Sequence, residues 1–321
     1  MASSAFESEL CLSRPYLTKN QIIYTQKKTI NDRRTYNQKK LSILNFLSDL
    51  CVKLELPRKT LETSMYFYQR YHLFNNFETE LCYSLATSCL VLSCKQVETF
   101  KKVNEIATLS LQIRNMAKIN TDTLESFKKV LYQIELRILE ACNFDYRINN
   151  NAHVDEYIIK IGKTLSLDYN VCELAWLIAY DVLKLDVILM VPPPIIAFAT
   201  LKLANELFDN SSLSSRSYDM LGSEEAMVDD VFFHIVNFYI NAFDLCDLKY
   251  HIPSSMAPIS IERFMVLKSK TGPEVSMPDL TEGDFGYDDY LKKTRNFTVQ
   301  ERRYVLSSDV IKEECDLLKR I

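Results

Sequence analysis

Glycine is nearly missing from this chain: five occur in 321 residues, the first at Gly162, and no proline lies between Pro57 and Pro192. Strands need turns every several residues, and turns draw on these two residue types, so the long stretch between the prolines is excluded as β-structure and predicts helices. Histidine is scarce as well, with four residues, and the nine cysteines (11, 51, 82, 89, 94, 142, 172, 246, 315) include no C-x-x-C pair. Such a set does not build a zinc site, and no metal and no cofactor is expected. The cysteines are odd in number, irregularly spaced and embedded in apolar stretches, which reads as reduced core thiols of a cytosolic or nuclear protein. No apolar h-region follows Met1, which argues against secretion and leaves the sequons at Asn210 and Asn296 without meaning. The longest apolar stretch, 187–201, is too short to span a bilayer and holds three prolines, so no membrane association is expected.

What is present describes a soluble globular chain: 47% hydrophobic and 25% charged residues, with a length that can hold two domains. Net charge is −4, which gives the whole molecule no pull on nucleic acid. The charge is uneven. Residues 1–40 carry eight Lys or Arg against three acids, whereas 271–291 carry six acids and no base.

Apolar spacing of three to four residues marks the helices. Leu41, Leu44, Leu47, Leu50 and Leu54 form one stripe. Pro57 suits the first turn of a second helix, with Leu61, Met65, Tyr68 and Tyr71 facing inward. A third helix is expected over 78–95, capped by Asn75 with Glu78, and is apolar almost all round, so other helices must enclose it. A short fourth (100–110) leads to a fifth, capped by Asp122, with Phe127, Leu131, Ile134, Ile138 and Cys142 inward. Helices near 151–165, 169–185, 193–208 and 224–245 make a second set, and a gap-free shift of 113 residues superposes Leu61 on Leu174, Ala86 on Ala199 and Leu90 on Leu203. The expected architecture is all-α, two five-helix units with the second shortened, preceded by an N-terminal helix and followed by an irregular tail. The boundaries read as an N-terminal basic segment 1–36, units over 37–147 and 148–250, and a tail 251–321 with an acidic loop.

Possible chemistries are few. The triplet Asp284-Phe285-Gly286 matches the metal-binding triplet of protein kinases, but the Gly-rich loop, strand lysine and H-R-D loop that kinase catalysis needs are absent. His153 beside Asp155 and Glu156 has no nucleophile at a matching spacing and reads as an exposed helix turn. The aromatic run from Met65 to Phe74 and Trp176 reads as core. The basic run 27–40 reads as a solvated helix face or a nuclear import signal. No catalytic residue is expected.

Segment 56–106, with the K-x-x-E of Lys95 and Glu98 closing the central helix, resembles helices two to four of a cyclin box. Segment 133–146, with Glu135 ahead of an apolar pair and Phe144-Asp145 at its end, is similar to the fifth helix, and 175–204 resembles the second box of transcriptional cyclins. The resemblance implies tandem cyclin folds and a non-catalytic activator. A cyclin seats a kinase's regulatory helix and frees its activation loop, a population shift by differential binding. By motif position Lys95 and Glu135 would grip the kinase backbone, Glu98 would hold the loop after the central helix, and Leu92, Leu139 and Phe144 would make apolar contacts. In cell-cycle cyclins an arginine of the first helix bonds an aspartate of the second. Lys40 and Gln69 occupy those places here, so that brace is not expected in the same form. The partners implied are a cyclin-dependent kinase catalytic subunit, a third subunit of its complex, and the C-terminal repeat of RNA polymerase II as substrate, all in the nucleus. The alternatives are a cyclin of another transcriptional kinase and a TFIIB-like DNA-binding factor, which also stacks two cyclin folds but would bring a zinc ribbon and a basic face.

Overall fold

The computed structural model describes residues 14–115, 119–145, 153–210, 213, 225–253, 258–270, 285 and 288–292. Among them every regular element is helical. Helix α1 (Lys19–Thr29) precedes a first unit of α2 (Arg33–Lys53), α3 (Arg58–Tyr71), α4 (Cys82–Gln96), α5 (Val103–Ile113) and α6 (Thr121–Ala141). The second unit holds α7 (Val154–Thr164), α8 (Tyr169–Val182), α9 (Pro193–Leu207) and α10 (Glu225–Ala242), and α11 (Ile261–Lys270) packs on it. None of these helices is long and apolar enough to cross a membrane.

Six of the helices, α2, α4, α5, α6, α7 and α9, end without glycine. Glu55, Glu98, Asn115, Asn143, Ser166 and Asp209 have φ between 53° and 56° or close to it, and each stands two residues past a helix end. The left-handed turn lets the next amide reach back to a terminal carbonyl, as in Leu56 N–H to Cys51 O (2.9 Å), Thr99 N–H to Cys94 O (2.9 Å) and Leu167 N–H to Gly162 O (2.9 Å). These turns also correct the repeat. The pairs Arg58 and Tyr169, Tyr71 and Val182, Cys82 and Pro193, Gln96 and Leu207, Glu55 and Ser166, and Glu98 and Asp209 all stand 111 residues apart, so the shift is 111 rather than 113. Residues corresponding to α5 fall at 214–224, outside the described set.

Two expected caps are also corrected. Helix α4 begins at Cys82 with no side-chain cap, because 79–81 form a turn and Asn75 instead donates its amide to Tyr71 O (3.1 Å), closing α3. Helix α6 is capped by Asn120, whose side chain accepts from Thr123 N–H (2.8 Å), rather than by Asp122. Pro57 is the extended residue just ahead of α3 rather than part of its first turn, Pro192 stands likewise ahead of α9, and Pro193 opens α9. Helix α4 is enclosed, with Leu85, Ala86, Cys89, Leu90 and Val91 all buried. Burial raises the Cys89 thiol well above its ordinary value and the Cys94 thiol to about 11, so these are inert core sulfurs.

The two units meet across a polar seam inside an apolar surround. Lys40 is buried and its ammonium donates to Asp186 Oδ1 (2.8 Å) in the 3₁₀ turn of the second unit, and lies 3.5 Å from Gln69 Oε1. Gln69 Nε2 in turn donates to Leu183 O (3.0 Å). The brace therefore takes another form, with its carboxylate supplied by the second unit. Arg33 (3.5 Å) and Gln26 (3.4 Å) add to the hold on Asp186. Arg58 donates to Trp176 O (2.9 Å) and lies over the Trp176 and Tyr180 rings. His153 is buried rather than on an exposed turn, with Nδ1 3.4 Å from Glu62 Oε1, while Val154 N–H donates to Glu62 Oε2 (3.2 Å). The chain's later residues return to the N-terminal segment and the first unit: Asp288 pairs with Arg14 ahead of α1 (2.5 Å), and Tyr290 is buried against Arg70 and Phe74.

Burial acts to raise the Asp186 pKa, but the Lys40 charge and hydrogen bond, with Arg33 and Gln26, outweigh it and leave it below the ordinary value. A depressed carboxyl contributes stability that is present above the unfolded pKa and lost as pH falls through the folded one. Asp186→Asn is expected to lower unfolding free energy by about 2 kcal/mol at pH 7, between exposed and fully buried pairs, and to flatten the acid limb of a urea-denaturation series below about pH 4. For His153, burial acts downward but the Glu62 bond and charge win and raise its pKa. Its contribution is complete below about pH 6.5 and is lost as pH rises through the raised folded value. His153→Asn should remove that decline from a melting-temperature profile between pH 6 and 9.

Candidate functional site

Helix α4 is buried from Leu85 to Cys94, and at its last turn Lys95 emerges into solvent. Helix α6 runs beside it, with Ser88 Oγ donating to Leu131 O (2.8 Å) and Leu131, Ile134, Ile138 and Ala141 turned inward. The residues offset from that stripe form an outer edge, so Glu135 faces Lys95. The ammonium donates to both carboxylate oxygens, at 2.6 and 2.9 Å. Lys95 is 51% exposed and Glu135 13%, so the pair sits at a wetted rim over an apolar floor. An ammonium has three donors and a carboxylate about four acceptor sites, so the pair keeps capacity for a partner's carbonyls and amides.

The other sequence-selected residues gather at the same end. Leu92 is buried beneath Lys95, Leu139 is half-buried one turn along α6 from Glu135, and Phe144, 37% exposed, closes the end of α6 through its amide to Leu139 O (2.8 Å). Glu98 is exposed with φ 55°, and its carboxylate makes no ion pair among the described residues. The loop after α4 is held instead by Thr99, whose amide bonds Cys94 O and whose hydroxyl lies 3.0 Å from that of Thr60. Two residues were missed: Tyr132 (47% exposed) and Leu136 (52%) stand on the outer edge of α6, and Lys95 Nζ lies 5.8 Å from the Tyr132 ring centre. Their signal was the three- and four-residue spacing from Glu135 and Leu139, which puts them on one face.

A model of the cyclin N-terminal domain matches residues 13–147. The chain is 59% identical over 314 residues to CTD kinase subunit beta of Saccharomyces cerevisiae, covering 98% of this chain and 97% of that protein. This chain belongs to the cyclin family. Within it, the resemblance is to the transcriptional type: CTD kinase subunit beta of Schizosaccharomyces pombe is 26% identical over 203 residues, 61% of this cyclin and 59% of that relative. A chain in the crystal structure of the yeast RNA polymerase II CTD kinase CTDK-1 complex superposes with a TM-score of 0.90 at 59% identity, covering 96% of this cyclin and 100% of that chain.

Nothing at the rim of this cyclin is arranged for bond-making chemistry, and among the described residues no group of His, Cys, Asp and Glu could hold a metal ion. Of the kinase-like triplet only Phe285 is described, and it packs against Tyr24 (5.4 Å between ring centres) while its two neighbours lie outside the described residues. The basic run 27–40 splits between the end of α1 and the start of α2, mostly exposed, with Tyr36 and Lys40 turned into the seam. An exposed ion pair contributes about 0.2–1 kcal/mol to folding. The Lys95→Ala, Glu135→Ala double variant should therefore lose no more than about 1 kcal/mol in a urea titration.

Proposed function

We propose that this chain is the non-catalytic cyclin subunit of a nuclear cyclin-dependent kinase that phosphorylates the C-terminal repeat of RNA polymerase II, supporting elongation and mRNA processing. The observation that carries this reading is the Lys95–Glu135 pair held between the last turn of α4 and the outer edge of α6, in a chain 59% identical to a CTD kinase subunit beta over nearly its whole length. Lys95 and Glu135 bond the backbone of the catalytic subunit beside its regulatory helix, with Leu92, Leu139 and Phe144 beneath that helix and Glu98 at its edge. A third subunit of the complex docks on the second unit or the tail. No cofactor takes part.

The energetics suit a switch. Moving a kinase from about 1:99 to 99:1 active requires about 5.5 kcal/mol of differential binding. Half-exposed side chains such as Tyr132, Leu136 and Phe144 contribute on the order of 1 kcal/mol each on burial, about half the value for fully exposed ones. Apolar contact therefore leaves a share to charge-assisted bonds, which strengthen as water leaves the rim.

The test is co-purification with the catalytic subunit, followed by phosphorylation of a heptad-repeat peptide. The Lys95→Ala, Glu135→Ala variant is expected to retain its fold and to lose at least about tenfold in affinity and in kinase activation. Unchanged activation by the folded double variant would refute the assignment of this face.

A further inference from the structure

The basic run 27–40 takes no part in the α4–α6 rim, yet its charge is one-sided. From Arg14 to Lys40 eight residues are Lys or Arg, and Asp32 is the single acid. Three of the eight are committed to the fold: Arg14 pairs with Asp288, and Arg33 and Lys40 hold Asp186. Lys19, Lys27, Lys28, Arg34 and Lys39 pair with no carboxylate among the described residues, and Lys27, Lys28 and Arg34 are exposed. Asp32 does not neutralise them, because its carboxylate caps α2 and accepts from the amides of Arg34 (3.0 Å) and Thr35 (3.1 Å).

Helix stability does not account for this placement. Lys27 and Lys28 in the last turn of α1 suit its dipole, but Lys19 opens α1 and Arg33 and Arg34 open α2, with no acid in either first turn. Cations at that end of a helix are disfavoured, and like charges gathered on one corner repel. A local arrangement that costs stability is tolerated where it serves binding, here of an anion.

The corner is also concave. Helices α1, α2 and α10 enclose a groove of about 400 Å³, lined by Ile22, Leu41 and Phe238 and by Lys19, Arg33 and His234. Asp186 lines it too, but its carboxylate is already taken up by Lys40, Arg33 and Gln26. Arg34 precedes Asn37 by one turn of α2 and Leu41 by two, and both line the groove, so Arg34 shares their side of the helix. A ligand that fits brings an apolar side chain flanked by negative charge. Phosphate suits the cations best, since each brings a charge of about −2 and three acceptor oxygens, and the kinase proposed above makes it on one polymer, repeat after repeat.

We propose that the α1–α2 corner docks phosphorylated repeats of the polymerase's C-terminal tail, with phosphates on the Lys19, Lys27 and Arg34 side chains and an apolar side chain of the repeat in the groove. The inference rests on the reading of this chain as the cyclin of a CTD kinase and gives the substrate a contact on the cyclin itself. A repeat held there makes the arrival of its neighbours at the active site intramolecular, so a partly phosphorylated tail is the preferred substrate.

The test uses the kinase complex reconstituted with the full-length chain, wild type beside a Lys19→Glu, Arg34→Glu variant. Both substitutions put an acid in the first turn of a helix, which the dipole favours, so the variant is expected to melt no lower than wild type. Rates are measured on one repeat, on four repeats, and on four repeats phosphorylated at alternate positions. Wild type is expected to show a KM for the phosphorylated four-repeat peptide at least about tenfold below that for the unphosphorylated one, a gap that narrows with salt. The variant is expected to lose the gap while its kcat and its KM for one repeat stay unchanged. A gap that persists in the variant would put phosphate recognition elsewhere and overturn the docking site, as would a wild type with no gap. Anisotropy titrations of the free chain with the phosphorylated peptide and with single-stranded RNA of equal length separate the two polyanions. Tighter binding of the RNA, lost in the variant, would make the corner a nucleic-acid surface and overturn the proposal. If the wild-type complex phosphorylates none of the peptides, the reading as a CTD kinase cyclin fails and the docking site falls with it.

Discussion

The arrangement of the whole molecule depends on one carboxylate, that of Asp186. It comes from the second unit but is held by Lys40 of the first, with Gln26 and Arg33 beside it. A half-buried carboxylate is tolerated because these donors surround it, and the same donors fix how α7–α10 sit against α2–α6. Gln69, the Arg58 clamp on Trp176 and the Glu62–His153 contact extend the hold along the seam. Burying the polar surfaces of α3 and the 3₁₀ turn against each other leaves the other end of α4 facing outward.

The last turn of α4 carries the Lys95–Glu135 rim. An apolar helix surrounded on all sides can show a charge only at its terminus, and Lys95 is that charge. Because α6 runs alongside α4, Glu135 meets Lys95 at the rim, and the outer edge of α6 adds Tyr132 and Leu136. The second unit repeats the scaffold, with α11 packed on its α10 through Phe264 and Tyr239.

The helices were legible because scarcity of glycine and proline and a period near 3.6 allow little else, and Pro57 and Pro193 mark helix starts by their fixed φ. The rim residues were legible only through the resemblance, since Lys95 and Glu135 are forty residues apart and nothing in local spacing joins them. The repeat was visible but its register was misplaced by two. Helices α4 and α9 are apolar nearly all round, so sliding one along the other leaves apolar on apolar, and the turns that fix the register use Glu, Ser and Asp where glycine would have signalled them. The start of α4 was misread because Asn75 and Glu78 have the letters of a cap, whereas Asn75 closes the helix before it. The Asp186 seam was illegible, because a lysine facing a glutamine in neighbouring helices carries no sign that a carboxylate 146 residues away completes the site.

The central claim is that the first unit's face, not the second's, receives the catalytic subunit. Hydrogen–deuterium exchange of the full chain, alone and with that subunit, tests it directly. Slowed exchange confined to the end of α4, the loop through Thr99 and the α6 edge, with α9–α11 unchanged, is the expected result. Protection appearing on α9–α11 while the loop after Lys95 exchanges as in the free chain would contradict it.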